Sequence, residues 1–409
     1  MFNAKEEVKR IVKFVKNYYK NNNLKGAVIG VSGGKDSAVV AAIMVKALGK
    51  GNVVGVTLPC HSNEQDMIDA KKLSEEYGFK LYNIDLTSVY DQFLSNLDLD
   101  FDIKNYDFDS NLNLKPRLRM ASLYYLAQLM SAYKKSGYIV VGTTNLPEKF
   151  VGYFTKGADS VHDLSVIGNL TVEEVILIGK ELGVPEEILY KTPHDGLSVE
   201  TDEEKLGVLY RDVAKFINNE VLDQDITNKI INLHQRNLHK LIDIPTYKKQ
   251  ELAAIVSTLR VKQQTISLME SCTGGSLAAE FTNIAGVSDV FKYSAVTYSS
   301  DSKIAMGVDA DIISKYGIYS KEVARAMAKS IASFVNSDYS IGITGKLDAY
   351  DQHKANLEDH TVYISIYDRS KNVFLDKVIN VNKITRVANK QDVIRAVIQA
   401  IDAMVNEKL

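Results

Sequence analysis

Two stretches of the chain place polar side chains directly after short, mostly apolar runs. Residues 27–31 are followed by SGGKDS at 32–37, and residues 265–269 are followed by ESCTGGS at 270–276. A strand, a glycine turn and a helix start present free backbone N–H groups and the positive end of a helix dipole. The first stretch therefore predicts a phosphate site, and the second predicts a serine nucleophile, Ser271.

The first turn departs from the common nucleotide-binding loop. Three residues, not four, separate Gly30 from Gly34, and Asp36 stands where Ser or Thr follows the lysine. A carboxylate beside a polyphosphate is repelled unless a cation lies between them, so Asp36 predicts Mg²⁺. An ordinary strand–turn–helix corner without a ligand is the alternative. The residues expected at this phosphate-binding turn are Gly30, Ser32, Gly33, Gly34, Lys35, Asp36 and Ser37.

Apolar periodicity predicts the elements that would position these side chains. Val8 to Tyr19 have helical spacing, and strands alternate with helices up to residue 142. The predicted strands are 27–31, 53–58, 80–84 and 138–142, and the predicted helices are 35–49, 66–77 and 115–135. This alternation is typical of an α/β, doubly wound parallel sheet, which binds ligands at the carboxyl ends of its strands. Ser32 and Thr143 both lie at such ends.

Length and composition limit the class of protein. The 409 residues exceed one ordinary core and predict two domains, which we place at 1–247 and 248–409. The net charge of −2 gives no general attraction to nucleic acid or an anionic membrane, and no apolar run reaches the length of a membrane span. Two distant cysteines and an N-terminus without a signal-peptide pattern favour the reducing cytoplasm.

A second block, VGTTNLPEKFVGYFTKGADSVHD at 141–163, also follows a predicted strand. With SGGKDS, it resembles the pyrophosphate-loop ATPases and, among them, ammonia-dependent NAD synthetase. The further matching motifs lie at 113–120, 191–197 and 201–207, and at His239-Lys240 with a following proline. The resemblance covers residues 1 to about 247.

The resemblance implies a reaction and a set of residue roles. The carboxylate of deamido-NAD would attack the α-phosphorus of ATP, pyrophosphate would leave, and ammonia would displace AMP to give NAD. Asp36 and Glu148 would hold Mg²⁺, Thr143 and Thr201 would contact ATP, and Asp159 would receive ammonia. The residues implied to hold deamido-NAD are Arg119, Lys156, Asp163, His239 and Lys240.

Some positions depart from that family, and another class stays open. The turn around Asp159 is altered, Val172 stands where many members have a lysine, and Val199 stands where a glycine is common. The alternative is an RNA-modifying ATPase such as a thiouridine or lysidine synthase, but the chain lacks their basic tract and reactive cysteine pair. No glutaminase-like segment precedes the turn, so we expect free ammonia as the nitrogen donor.

The second domain requires a base for Ser271 that is not histidine. Tyr298 and Lys303 follow the next predicted strand, and a lysine with a lowered pKa, relayed through a tyrosine, can serve as that base. We expect the Ser271 hydroxyl to face the dipole of the following helix. The spacing alone fits equally well an alternative without catalysis, in which Lys303 is a solvated helix residue and Tyr298 belongs to the core.

The motifs at 270–275, 295–303, 320–328 and 343–345 resemble the C-terminal domain of the CinA family. The resemblance implies hydrolysis of nicotinamide mononucleotide, with Ser271 as nucleophile, Tyr298 and Lys303 as base and Thr344 beside the oxyanion. The family's glycine-rich stretch is absent after Gly345, and its late arginine corresponds to Arg386 or Arg395. A degenerate, structural or oligomerising domain is therefore the alternative. We expect a homo-oligomer, a dimer or larger.

Overall fold

The structure, a computed structural model, describes residues 2–100, 107–191, 201–242, 252–347, 360–382 and 385–406. The predicted boundary at 247, Val199, and most of the stretches at 191–197 and after Gly345 lie outside the described residues. The chain divides into two compact units, Met1–Ile244 and Pro245–Leu409, which we call unit 1 and unit 2. No helix in the described ranges is long and apolar enough to cross a membrane.

Unit 1 contains a five-stranded sheet in which all neighbouring strands are parallel, in the order β3-β2-β1-β4-β5. Its strands are β1 Leu24–Gly30, β2 Val53–Thr57, β3 Lys80–Asn83, β4 Gly137–Gly142 and β5 Leu164–Ser165. The strand order reverses between β1 and β4, which is where open α/β sheets bind ligands. The predicted doubly wound parallel sheet is therefore confirmed.

Helices cover both faces of this sheet. The helices of unit 1 are α1 Ala4–Asn21, α2 Lys35–Leu48, α3 Glu64–Tyr77, α4 Thr87–Ser95, α5 Asp107–Lys134, α6 Leu146–Val151, α7 Val172–Leu182, α8 Glu186–Leu189, α9 Asp202–Leu206, α10 Tyr210–Ile217 and α11 Gln224–Asn237. Ala27 and Ile29 of β1 pack into one core with α1, α2 and α7, whereas Val28 packs into another with α4 and α5. The near-continuous apolar sequence of β1 reflects this burial on both faces.

Unit 2 has a second five-stranded sheet, in the order β10-β9-β8-β6-β7. Its strands are β6 Ile266–Glu270, β7 Phe291–Val296, β8 Tyr339–Gly345, β9 Thr361–Asp368 and β10 Val373–Asn380. The neighbours β7, β6 and β8 are parallel, and β9 and β10 continue antiparallel. Its helices are α12 Leu252–Val261, α13 Ser276–Thr282, α14 Ser300–Ala305, α15 Ala310–Tyr316, α16 Lys321–Val335 and α17 Arg386–Val405. The predicted second α/β domain is confirmed.

Candidate active sites

In unit 1, the SGGKDS turn joins the end of β1 to the start of α2. Gly33 has φ +77°, and a Cβ added there would lie 2.4 Å from the carbonyl oxygen of Asp66. This position therefore requires glycine. The hydroxyl oxygens of Ser32 and Ser37 lie 3.2 Å apart across the turn, and Ser37 Oγ also donates to the Gly34 carbonyl at 3.0 Å. These bonds fix the conformation of the turn at the N-terminus of α2.

Two carboxylates meet beside this turn because one asparagine orients both. Asn145 caps α6, where it accepts from the Glu148 backbone N–H while the Glu148 side chain accepts from the Asn145 N–H, each at 3.1 Å. The Asn145 amide also donates to Asp36 Oδ1 at 3.3 Å. Asp36 Oδ2 in turn lies 3.0 Å from Lys35 Nζ. The capping box thus fixes Glu148 next to the phosphate-binding turn.

The electrostatics of this pair fit a cation. Burial, and after it the charge of the neighbouring Asp36 carboxylate, raises the pKa of Glu148 to about 8. Burial alone would lower the pKa of Lys35, yet Asp36 and Glu148 hold it above its usual value. Two buried carboxylates that are both ionised repel one another, and a divalent cation between them would offset that repulsion. Among the described residues, no group of three or more His, Cys, Asp or Glu side chains could hold a metal, so phosphate and water oxygens would complete its shell.

A cavity of about 1050 Å³ opens at the switch point of the sheet. Its wall combines the turn, the end of β4, part of α5 and residues of α9 and α11. The predicted site residues that line it are Gly30, Ser32, Gly34, Lys35, Asp36, Ser37, Arg119, Thr143, Glu148, Asp159 and Lys240. The structure therefore gathers side chains from segments more than 200 residues apart around one space.

Two cationic side chains are held at this wall by backbone carbonyls. Arg119 Nε donates to the Leu58 carbonyl at 3.2 Å, at the end of β2. Lys240 Nζ donates to the carbonyls of Gly152 and Phe154, each at 2.9 Å. Burial lowers the pKa of Lys240. Both positive charges are thus fixed where an anionic substrate would enter.

The remaining predicted residues of unit 1 do not line the cavity. Lys156 Nζ donates to the His239 carbonyl at 2.9 Å, which places both residues near Lys240 but on the exposed surface. Asp163 accepts from the Val140 N–H at 2.8 Å and the Tyr124 hydroxyl at 3.2 Å. The Thr201 hydroxyl is used in the cap of α9 with Glu204. Gly33 belongs to the turn but is not among the residues that line the cavity. The roles predicted for these residues stay predictions.

Sequence reasoning missed two residues of this site. Asn145 carries a detectable signal, because its spacing to Glu148 is that of a capping box. Asp202 is buried and lines the cavity beside Lys205, and no spacing marks it in the sequence.

In unit 2, Ser271 and Lys303 make direct contact. Ser271 follows β6, and its backbone N–H donates to the Ile343 carbonyl of the neighbouring β8 at 3.0 Å. Lys303 Nζ donates to Ser271 Oγ at 2.9 Å and to the Thr297 carbonyl at 2.7 Å. Lys303 is fully buried and neither partner is charged, so burial lowers its pKa to about 8. The solvated alternative for Lys303 is excluded.

Tyr298 does not connect this pair. Its side chain is 64% exposed, and its hydroxyl accepts from Arg386 at 3.1 Å. The expected relay from Ser271 through Tyr298 to Lys303 is therefore wrong, because the lysine reaches the serine directly. Arg395 is exposed and pairs with Asp392 on its own helix, whereas Arg386 lies beside Tyr298. Which of the two corresponds to the late arginine of the family stays a prediction.

The expected helix-dipole contact of Ser271 also needs correction. The buried Glu270 carboxylate accepts from the backbone N–H groups of Gly275, Leu277 and Ala278 at 2.9–3.2 Å. These amides at the start of α13 are therefore already used and are not available to an oxyanion. Thr344 is fully buried, and its hydroxyl donates to the Ile318 carbonyl at 2.9 Å.

The fold and cavity define unit 1 as a doubly wound α/β domain with its candidate site at the switch point. The NAD synthase family matches residues 7–251, more than half of the chain, and the chain belongs to this family. The CinA C-terminal domain matches residues 248–405. Both resemblances drawn from the motifs are confirmed.

Individual relatives agree with the first match. The chain is 41% identical over 217 residues to an NH(3)-dependent NAD(+) synthetase of Methanococcus aeolicus, covering 53% of this chain and 82% of the relative. It is 37% identical over 235 residues to the enzyme of the same name from Finegoldia magna, covering 56% and 92%. A solved NMN synthetase from Francisella tularensis is 33% identical, with a TM-score of 0.55, and the match covers 61% of this chain and all of that one.

Proposed function

We propose that unit 1 makes NAD from deamido-NAD, ATP and ammonia, releasing AMP and pyrophosphate. The observation that carries the proposal is the family match together with the cavity that joins the SGGKDS turn to Glu148, Arg119 and Asp159. The names of the curated relatives support ammonia as the nitrogen donor.

In the first step, the nicotinate carboxylate attacks the α-phosphorus and the pyrophosphate leaves. The backbone N–H groups of the turn and Lys35 bind the leaving phosphates. Asp36 and Glu148 would hold Mg²⁺, which would neutralise charge on the leaving group. Without a cation, the buried Glu148 carboxylate is difficult to ionise beside Asp36, which supports this assignment.

In the second step, ammonia attacks the adenylated carboxyl group and AMP leaves. Asp159 lies at the cavity wall, where its Oδ2 accepts from the Thr155 N–H at 3.0 Å. A carboxylate in that place favours capture of ammonium and accepts its proton. Arg119 and Lys240 supply positive charge for the phosphates of deamido-NAD.

The Francisella relative suggests a second candidate substrate, nicotinate mononucleotide, with nicotinamide mononucleotide as product. Its resemblance to unit 1 is the observation that favours this candidate. If unit 2 hydrolyses nicotinamide mononucleotide, however, the two units would make and destroy one compound while consuming ATP. The dinucleotide avoids this cycle and is the substrate that we propose.

For unit 2 we propose hydrolysis of nicotinamide mononucleotide to nicotinate mononucleotide and ammonia. Neutral Lys303 accepts the Ser271 proton as Ser271 Oγ attacks the carboxamide carbon. The same lysine returns the proton to the leaving ammonia, and water then hydrolyses the ester and frees the serine. Arg386 and Tyr298 would bind the mononucleotide phosphate, and Thr344 stays a candidate contact on the oxyanion side. The product needs only adenylylation to become deamido-NAD.

One assay series tests the reaction of unit 1. The purified chain is incubated with ATP, Mg²⁺ and ammonium, and with deamido-NAD or nicotinate mononucleotide, while AMP and the amide product are measured together. We expect equal amounts of AMP and NAD, and a higher kcat/KM for the dinucleotide. Asp36→Asn and Glu148→Gln should each abolish synthesis; full activity in both would refute the metal assignment. A preference for the mononucleotide would establish the second candidate.

The reaction of unit 2 is tested by ammonia release from nicotinamide mononucleotide. Wild-type chain should release ammonia and Ser271→Ala should not, with NAD synthesis by unit 1 as the folding control. Equal rates in both would exclude Ser271 as nucleophile. No release from either would establish the degenerate alternative. The expected homo-oligomer and cytoplasmic location stay predictions, the first open to light scattering.

A further inference from the structure

One histidine lies in the wall of the unit 1 cavity, and the reaction described above does not use it. His162 follows Asp159 on the loop that leads into β5, and both residues line the cavity. The imidazole ring of His162 is half-buried and lies against Gly142, the last residue of β4. The ring is therefore at the carboxyl end of a strand beside the switch point, where open α/β sheets bind ligands.

Gly142 leaves room for this ring. A Cβ added at Gly142 would lie 2.4 Å from Cγ and from Nδ1 of His162, and 2.6 Å from Cδ2. The φ angle of Gly142 is not among the positive values found in the described residues, so the backbone conformation does not require glycine there. The missing side chain instead allows the close approach of the imidazole, which fixes the position of the ring on the end of the strand.

A hydrogen bond decides which nitrogen of the ring can accept a proton. Nδ1 of His162 lies 3.2 Å from the carbonyl oxygen of Asp159. A carbonyl oxygen can only accept, so Nδ1 carries a proton, and Nε2 of the neutral ring keeps its lone pair. Nε2 has no hydrogen-bond partner among the residues that the structure describes. His162 therefore brings an unused proton acceptor to the cavity wall.

The proposed second step has to dispose of two protons. Ammonia is present mainly as ammonium at neutral pH, and the ammonium nitrogen carries four protons, whereas the amide nitrogen of NAD carries two. One ionised carboxylate accepts one proton, so Asp159 can take only the first. The second is released when the C–N bond forms and the nitrogen becomes positively charged. A histidine is suited to accept it, because imidazole takes up and releases protons near neutral pH.

We propose that His162 is a catalytic residue of unit 1, whose Nε2 accepts the second proton of ammonium. The nitrogen bonds to the adenylated carboxyl carbon, and its proton passes to Nε2 of His162. The bond from that carbon to the AMP oxygen breaks, and AMP leaves with the electron pair. His162 then gives the proton to water. This inference rests on the proposed synthesis of NAD and adds a second proton acceptor to the Asp159 loop.

The test separates the two steps of the reaction. Exchange of labelled pyrophosphate into ATP, measured with deamido-NAD and without ammonium, reports adenylation alone, whereas NAD formation with ammonium reports both steps. In His162→Asn, the asparagine amide can keep the bond to the Asp159 carbonyl but has no counterpart of Nε2. We expect the exchange rate to stay within about twofold of wild type, and kcat at saturating ammonium to fall about a hundredfold.

A second nucleophile tests the proton transfer itself. Hydroxylamine is mainly uncharged at neutral pH and loses only one proton when it forms the hydroxamate, and Asp159 can accept that proton. With hydroxylamine, we expect the rate of His162→Asn to fall about tenfold or less. His61→Asn is the matched control, because His61 is exposed and does not line the cavity. His61 has φ +53°, which asparagine tolerates, and all three rates should stay unchanged.

Each outcome separates the inference from the reaction on which it rests. If His162→Asn keeps the wild-type rate with ammonium, the inference is overturned and the synthetase reaction stands. An equal loss of exchange and NAD formation would mean that His162 binds substrate or supports the fold, which also overturns the inference. Equal losses with ammonium and hydroxylamine would exclude proton transfer as its role. If wild type shows neither exchange nor NAD formation, the proposed reaction fails and the inference fails with it.

Discussion

Raising the pH should switch on the hydrolytic site of unit 2, because only neutral Lys303 can accept the Ser271 proton. Lys303 is fully buried and its hydrogen-bond partners are a hydroxyl and a carbonyl, neither of which carries a negative charge that would offset the burial of the ammonium group. Burial therefore lowers its pKa to about 8. The rate of ammonia release should follow the neutral fraction of this one amine.

The expected size of the effect follows from that pKa. With a pKa of about 8, the neutral fraction is about 0.1 at pH 7 and about 0.9 at pH 9, so the rate should rise about tenfold and then level off. A lysine with an ordinary pKa of about 10.4 would give a rise of about a hundredfold over the same range, with no levelling. The shape of the profile separates the two cases.

Initial rates of ammonia release from nicotinamide mononucleotide, measured from pH 6 to pH 10, provide the assay. Lys303→Arg stays charged and should lower the rate by about a hundredfold or more. Tyr298→Phe should keep the midpoint near pH 8, because the Tyr298 hydroxyl contacts Arg386 and not Lys303. A fluorophosphonate that labels Ser271 should show the same midpoint without any turnover. A midpoint above pH 10 in both measurements would refute direct transfer of the proton to Lys303.

Three further predictions concern other parts of the chain. Gly33→Ala should lower the free energy of unfolding by at least about 2 kcal/mol, measured by denaturant titration, because φ is positive there and a Cβ would strike the backbone of α3. Arg386→Ala should raise the KM for nicotinamide mononucleotide about tenfold or more while Arg395→Ala leaves it unchanged; equal effects would contradict the assignment of Arg386. Ammonium should support NAD synthesis by the purified chain, and glutamine at the same low concentration should not; synthesis from glutamine without an added partner would disprove this.

The sequence predicted β1 to β4 and the helices α1, α2 and α3 because their signals are local. It did not predict α4 or β5, and α5 begins at Asp107 and not at Lys115. A short run such as β1, which is apolar on both faces, is typical of a parallel strand buried between two layers of helices. The glycines that follow β1 and α3 mark a turn and the end of a helix. Asn145 shows the limit of this reasoning. Its spacing to Glu148 predicts the cap of α6, but its second bond, to Asp36, joins residues 109 positions apart.

By itself, the sequence determined the order of elements, the SGGKDS and ESCTGG turns, and the residue types that give each site its chemistry. Backbone conformation at a glycine turn depends on a few neighbouring residues, so spacing alone reveals it. Only the tertiary structure decided which distant side chains meet. It set Lys303 against Ser271 without Tyr298 between them, directed Glu270 to the amides of α13, and placed Asp202 and Glu148 in the wall of one cavity. These contacts depend on how strands and helices pack across the sheet, and no local spacing encodes that packing.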